Sequence, residues 1–469
     1  MSGPKGMYRR RNRILALAFA FTVAFTFHWM RNHPFVTPLS AAAPDHRSAC
    51  PKSSLAKDVA VVLRTGATES QKKVPIHFET VMSCVSDFII YSDFNETIEG
   101  HQVYDVLADV SDAIKDTVPE FNLYNHLRFR QREGLVYKTL YGSGPQGALE
   151  NRGWKLDKWK FLPMVDRVLR DRPQAKWFVF IEADTYMLWQ NMLRYLARFD
   201  AAAPHYLGKH MYINDVFFGH GGSGFVLSRP AAEMVSARWR AHTAEYDEYT
   251  QTEWAGDAIL GKALRDAGVD MFSSFPHLQG DSLTTVDWNV SKLGREPWCY
   301  APVTFHHMNR SEFRELWTFE QAWLSEHGST GPVPRFRDVF RSLVLPRLKP
   351  SIDDWDNLST GMDFREMVLG SSQHCRAACE SIPACVQFSY NKGACFISSQ
   401  LKLGHPVESG CLEYSNAEGK CITRRGEDDT TSQGAGVSSG WIMSRVATYV
   451  NDLDRSCENG DGSDWIVQS

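Results

Sequence analysis

The chain opens on a basic flank, Lys5, Arg9, Arg10, Arg11 and Arg13, followed by an uncharged apolar run from Ile14 to Met30. A run of that length behind positive charge predicts a transmembrane signal anchor over 14–30, with a cytosolic tail over 1–13 and all later residues lumenal. A small-residue cleavage site could be placed at Ala41-Ala42-Ala43, but it lies well past the apolar run. Residues 31–57 are rich in Pro, Ala, Ser and charge without an apolar period, which predicts a stem.

From residue 59 the pattern becomes that of an α/β unit. Val59 to Leu63 is an unbroken apolar run ending in Arg64-Thr65-Gly66, the signature of a strand buried on both faces that leads into a loop. Val74, Phe78, Val81 and Val85 fall on one helical face, and Asp87 to Asp93 reads as a second strand. Strand, helix and strand in that order imply a parallel pair with its ligand site at the carboxyl ends. A helical segment rich in aromatic and basic residues begins at Trp154 and delivers the chain to a third strand, Lys176 to Ile181, which stops at Glu182-Ala183-Asp184. The cluster Gly219-His-Gly-Gly-Ser-Gly224 leads into Phe225-Val-Leu, a helix is expected near 230–240, and this part ends near 345.

Beyond it, Cys375, Cys379, Cys385, Cys395, Cys411 and Cys421 crowd into 47 residues, a density typical of a small disulfide-stapled unit, placed at 355–421. Residues 423–440 read as a Gly, Ser and Thr linker. In the segment 441–469, Ile442, Val446, Tyr449 and Leu453 share a helical face and predict a tail that packs back. All ten cysteines and the sequons at Asn95, Asn289, Asn309 and Asn357 follow the anchor, as an oxidising, glycosylating lumen would explain; the cysteine pairing stays open at this stage.

Composition narrows the function. With 469 residues, 43% of them apolar and including 14 Trp, 27 Phe and 16 Tyr, the chain can build two or three folded units and is not largely disordered. Lys plus Arg number 51 against 55 Asp plus Glu, so no electrostatic argument points to a nucleic-acid partner.

Four constellations could carry chemistry. Glu182 and Asp184 at a strand end can present two carboxylates to a hard divalent cation, although acid-x-acid alone is common. In Phe305-His306-His307-Met308, one imidazole could complete the sphere of a borderline ion such as Mn2+. The glycine cluster would let backbone approach a ligand closely. Asp257, at the start of a helical run, reads locally as an ordinary first-turn acid.

Taken in order, Val62-Leu-Arg-Thr-Gly66, Glu182-Ala-Asp-Thr-Tyr186, Gly221-Gly-Ser-Gly-Phe-Val-Leu-Ser228, Gly256-Asp257 with Gly261, and Thr304-Phe-His306 resemble glycosyltransferase family 31, which includes fringe and the core 1 β-1,3-galactosyltransferases. The likeness is to the fungal members and covers roughly residues 57–345. It implies a GT-A fold (α/β, Rossmann-like) over 58–345, a UDP-sugar donor, a glycan or glycoprotein acceptor, Mn2+, and inversion at the anomeric carbon in a Golgi type II membrane enzyme. Matched by position, Asp184 and His306 become metal ligands with Glu182 beside them, and Asp257 becomes the catalytic base. Gly221, Gly222, Ser223 and Gly224 lie where donor and acceptor meet. Strand topology further nominates Arg64, Thr65, Gly66 and Asp93 for the donor. Two positions depart from the family pattern: Glu182 replaces the first aspartate of the metal motif, and Gly256 replaces the acid before the base.

The cysteine-rich segment is similar to PAN/apple modules, small α+β units that bind protein or carbohydrate. The expectation is therefore a β-1,3-galactosyltransferase of N-acetylgalactosaminide type using UDP-galactose. The alternatives are a fringe-like β-1,3-N-acetylglucosaminyltransferase, or a non-catalytic glycan-binding or chaperone-like relative.

Overall fold

Val59 to Leu63 carries no polar residue because both faces of its strand are covered. Ala60 and Val62 enter one core, with Phe161, Val165 and Ile259, while Val59, Val61 and Leu63 enter the other, with Val74, Trp189 and Leu193. This strand, β1 (Val59–Arg64), is the centre of an eight-stranded sheet. The others are β2 (Phe88–Ser92), β3 (Glu96–Ile98), β4 (His101–Asp105), β5 (Trp177–Glu182), β6 (Tyr206–Gly208), β7 (Phe225–Ser228) and β8 (Met271–Ser273). Their spatial order is β8-β6-β7-β5-β1-β2-β4-β3, and β3 and β7 run against the rest. The fold is thus α/β with a largely parallel sheet. The computed structural model describes residues 49–135, 152–359, 365–407, 411–416, 420–424, 436–458 and 462–467. The apolar run 14–30 and most of the stem lie outside these residues. Among the described residues, no helix is long and apolar enough to cross a membrane.

The helix expected through Val74 to Val85 is instead three short pieces, Ser70–Lys73, Pro75–Glu79 and a 3-10 turn at Val81–Ser83. Pro75 has no N–H to continue the first piece, so a new helix starts with proline in its first turn. Val74, Val81 and Val85 still reach one core. The end of the stem is also ordered: Cys50 is bonded to Cys84.

The cysteine-rich region is organised differently from the sequence expectation. All ten cysteines are paired, and Cys375–Cys395, Cys379–Cys385 and Cys411–Cys421 lie within the crowded segment. Its five-stranded sheet, however, takes strands from outside 355–421: Ile352–Asp353 and Val437–Trp441 pair with each other, and the latter also pairs with Gln387–Asn391. The stretch read as a linker over 423–440 therefore ends in an internal strand. Its small residues have a packing reason: a Cβ on Gly440 would lie 2.2 Å from the Pro350 carbonyl oxygen and 2.7 Å from the Phe388 ring. Buried Ser439 bonds the Trp355 carbonyl at 2.7 Å and Ser389 Oγ at 3.0 Å.

One hydrophobic cluster joins this region to the α/β part, with Leu401, Leu403, Trp441 and Val446 packing beside Tyr186, Phe305, Phe313 and Phe340. The expected tail helix, Met443–Glu458, is present, pinned by Cys299–Cys457 and by the Trp298 indole N–H donating to Asp454 at 2.9 Å. Residues 48–469 consequently form one compact unit. Asn357 is fully buried, its amide donating to the Phe388 and Gly440 carbonyls, so that sequon cannot carry a glycan in the folded chain. Asn95 and Asn289 are exposed.

Because Trp441 fills the shared cluster, Trp441→Ala should lower stability by about 3–5 kcal/mol. Urea unfolding of the full chain, followed by circular dichroism, checks this; a loss under about 1 kcal/mol would show that the two parts do not depend on a common core.

Candidate active site

Strand register assembles the site. Arg64, at the end of β1, is opposite Tyr91 in β2 and opposite Glu182 in β5, so the three parallel strands deliver their last residues to one edge. Phe225, at the start of antiparallel β7, is opposite Phe180 of β5 and Gly208 of β6, which brings the preceding glycine cluster to the same edge. A short antiparallel pairing, Thr304–Phe305 with Tyr186–Met187, adds His306.

Arg64 is buried, and its guanidinium bonds both Asp157 and Glu182 while lying 4.1 Å over the Phe161 ring. Thr65 and Asp93 are buried as well. Asp93 accepts the Ala67 N–H at 2.7 Å, and Lys160 bridges Asp93 at 3.3 Å to the Thr65 carbonyl at 2.8 Å. Gly66 leaves room for that ammonium, since its Cβ would lie 3.3 Å from Lys160 Nζ. Asp93, nominated for the donor, is fully buried and fixes the shape of the 64–67 turn.

Asp184 is the centre of the metal-capable group. Its Oδ1 lies 3.3 Å from His306 Nε2 and its Oδ2 4.0 Å from His307 Nδ1, and the three residues can bring ligand atoms within 4.8 Å of one another. His307 has φ 57°, a left-handed conformation uncommon for histidine, and its ring stacks on His306 at 3.8 Å. The Met308 N–H bonds the Asp184 carbonyl at 3.0 Å and ties the two loops together. Glu182 stands outside this trio. It faces Arg64, with its other oxygen 3.7 Å from His306 Nε2. Lys73 bonds Asp184 at 2.9 Å and Glu69 at 2.7 Å.

The electrostatics follow from this packing. Burial works against ionisation of both acids, yet Arg64 and His306 hold Glu182 below the usual carboxylate range, and His306 and Lys73 do the same for Asp184. Burial would also discharge His306, but its bonds to Asp184 and Glu182 prevail and push it up to about 9. An oxygen and two imidazole nitrogens suit a borderline divalent ion such as Mn2+, and Asp184 already draws a cation in Lys73. The residues present fit the metal that the family resemblance implies.

The glycine cluster is shaped by its neighbours. A Cβ on Gly222 would lie 2.2 Å from His306 Cε1, and one on Gly221 3.1 Å from Phe161. Gly224 has φ +77°. Thr185 Oγ1 donates to the Gly222 carbonyl at 2.7 Å, and Thr304 Oγ1 to the Ser223 carbonyl at 2.6 Å. Asp257 completes the loop from the other side, accepting the Gly221 N–H at 2.8 Å and the Ala258 N–H at 3.0 Å. Burial raises Asp257 to about 6 despite those bonds and Arg64. The sequence departure at Gly256 has a steric origin, because a Cβ there would lie 2.3 Å from the Phe161 ring and 2.7 Å from Lys158 Cα.

Residues 155–311 match the family model described as Fringe-like. This segment is similar to the Fringe-like family over about a third of the chain. The match includes Asp157, Glu182, Asp184, the glycine cluster, Asp257 and both histidines; β1, β2 and Lys73 precede it. Among solved structures, this chain is similar to one described as "Crystal structure of a glycosyltransferase involved in the glycosylation of the major capsid of PBCV-1", at 11% identity and a TM-score of 0.27, covering 56% of this chain and 98% of that one. At that score the likeness supports no argument about mechanism.

Sequence reading missed Lys73, Asp157 and Lys160 as parts of the site. The aromatic and basic segment from Trp154 was noticed, but nothing local shows that Asp157 and Lys160 turn toward Arg64 and Asp93. The sequence offered one imidazole of the histidine pair, and the spacing of ligand atoms around Asp184 admits both.

Gly222→Ala should displace His306, weaken Mn2+ binding by tenfold or more and lower stability by about 1–3 kcal/mol, since the added Cβ meets a buried ring. Calorimetric titration with Mn2+ beside a thermal melt checks it; unchanged affinity would remove His306 from the metal group.

Proposed function

We propose that this Fringe-like domain is an inverting, Mn2+-dependent transferase that moves a hexose, galactose from UDP-galactose, in β-1,3 linkage onto a glycan or glycoprotein acceptor. The observation that carries the reading is the juxtaposition, across one glycine loop, of the Asp184, His306 and His307 group with a half-buried carboxylate at Asp257. Asp184, His306 and His307 would hold Mn2+, which when bound screens the charge of the departing diphosphate.

The chain's own residues do the rest. Glu182 fixes Arg64 at the strand edge and supports His306. The Gly221 to Gly224 backbone lets His306 and Phe161 pack directly against the loop, and so sets the metal group and Asp257 on its two sides where donor sugar and acceptor would meet. Asp257 Oδ2, anchored by the Gly221 N–H, would take the proton from the acceptor hydroxyl as that oxygen attacks the face of the sugar opposite the diphosphate. A carboxylate raised to about 6 remains ionised near neutral pH and is more basic than an ordinary aspartate. The fully paired cysteines support a lumenal, oxidising location, with residues 14–30 as the Golgi membrane anchor and the PAN/apple-like region as a docking element.

A screen of nucleotide sugars with and without Mn2+, scored by nucleoside diphosphate release, tests the donor; UDP-N-acetylglucosamine outperforming UDP-galactose would replace galactose in this reading. For the base, kcat/KM should rise about tenfold per pH unit below about 6 and level off above it, because only the ionised carboxylate accepts a proton. Asp257→Asn should cost about 10²- to 10⁴-fold in kcat with UDP and Mn2+ binding retained. It should also lose about 1–3 kcal/mol of stability, since the amide can keep only one of two backbone bonds. A destabilised but active variant would make Asp257 a purely structural tie.

A further inference from the structure

Lys209 follows β6 at the edge of the sheet that carries Arg64, Glu182 and the glycine cluster, because Gly208 is in register with Phe225. Its carbonyl accepts the His220 N–H at 2.8 Å. Its side chain turns inward and is only 13% exposed. The ammonium packs against Gly280, where a Cβ would lie 2.4 Å from Lys209 Nζ, 3.2 Å from Ser223 Oγ and 3.4 Å from His220 Nδ1. It therefore shares one small volume with the loop that runs between His306 and Asp257.

The mechanism above makes no use of this cation, and its ion pair is loose. The facing carboxylate, Asp281, is half exposed and 3.9 Å away. Lys292 adds a like charge, and burial together with Lys292 keeps the Lys209 ammonium below its ordinary range against the pull of Asp281. This side of the site thus sets Lys209 and Lys292 beside Asp281, in a chain whose overall charge is −4. A largely buried ammonium is costly unless an anion meets it.

We infer that Lys209 anchors an anionic subsite beside the glycine cluster, and that the acceptor glycan supplies the matching group, a carboxylate or phosphate on one of its sugars. The inference rests on the transferase reading for the identity of the acceptor, but not for the binding of the anion. The donor diphosphate has the same chemistry, so the test must separate the two sources.

Methyl glucuronoside and methyl glucoside are titrated into the full chain by NMR, and UDP affinity in Mn2+ is measured beside them. The glucuronoside should bind at least about tenfold tighter. Lys209→Met and Lys209→Gln should erase that preference, Lys209→Arg should keep most of it, and UDP affinity should stay unchanged in all three. Thermal melts confirm that the variants fold. Equal binding of the two glycosides overturns the inference, as does a preference that survives both neutral variants. Weakened UDP binding in those variants overturns it too, by assigning Lys209 to the diphosphate. A Lys209-dependent preference in a protein that turns over no nucleotide sugar would leave the subsite standing and remove the transferase reading.

Discussion

A buried guanidinium holds the site together. Arg64 ends the central strand with its charge shared between Asp157 and Glu182 and its plane on Phe161. Removing Arg64 would leave both carboxylates without their shared cation, which is costly because uncompensated charge remains. Phe161, beneath Arg64, in turn dictates two positions without side chains, Gly221 and Gly256. Those glycines let the helix bearing Asp257 and the loop facing His306 close onto the strand ends. One cation–aromatic contact thereby sets the distance between the proposed base and the proposed metal group.

The same economy governs the cysteine-rich region. Its sheet is stapled internally by disulfides, yet its largest side chain, Trp441, sits in the cluster that also holds Tyr186, Phe305 and Phe313. Tyr186 lies two residues beyond Asp184, and Phe305 immediately precedes His306. The region thus buttresses the two strands that carry the metal group, whatever else it binds on its outer surface. A small disulfide-rich sheet has little core of its own, and sharing one supplies the missing apolar burial.

Continuous apolar strands, the acidic pair at a strand end, the glycine cluster and the histidine pair were legible in the sequence as local patterns, because strand burial has a period and metal or turn chemistry has a residue type; Asp257 was singled out as a base only by the family resemblance. The same logic failed where a pattern had two physical causes. Gly and Ser over 437–440 look like a linker, and are small because Pro350 and Phe388 press against them. Asn357 satisfies a sequon, and is buried because its amide completes a backbone network.

The sequence by itself determined the α/β character, the order of the strands along the chain, the crowding of the cysteines and the short list of side chains able to do chemistry. Only the tertiary structure decided which of them meet. Lys73 reaches Asp184 across 111 residues, Lys160 reaches Thr65 across 95, and Lys209 is set against Gly280. Charges so far apart in the chain carry no mutual signal in local composition. Their pairing is fixed by sheet register and by which helix faces the strand ends, and both are properties of packing rather than of any one segment.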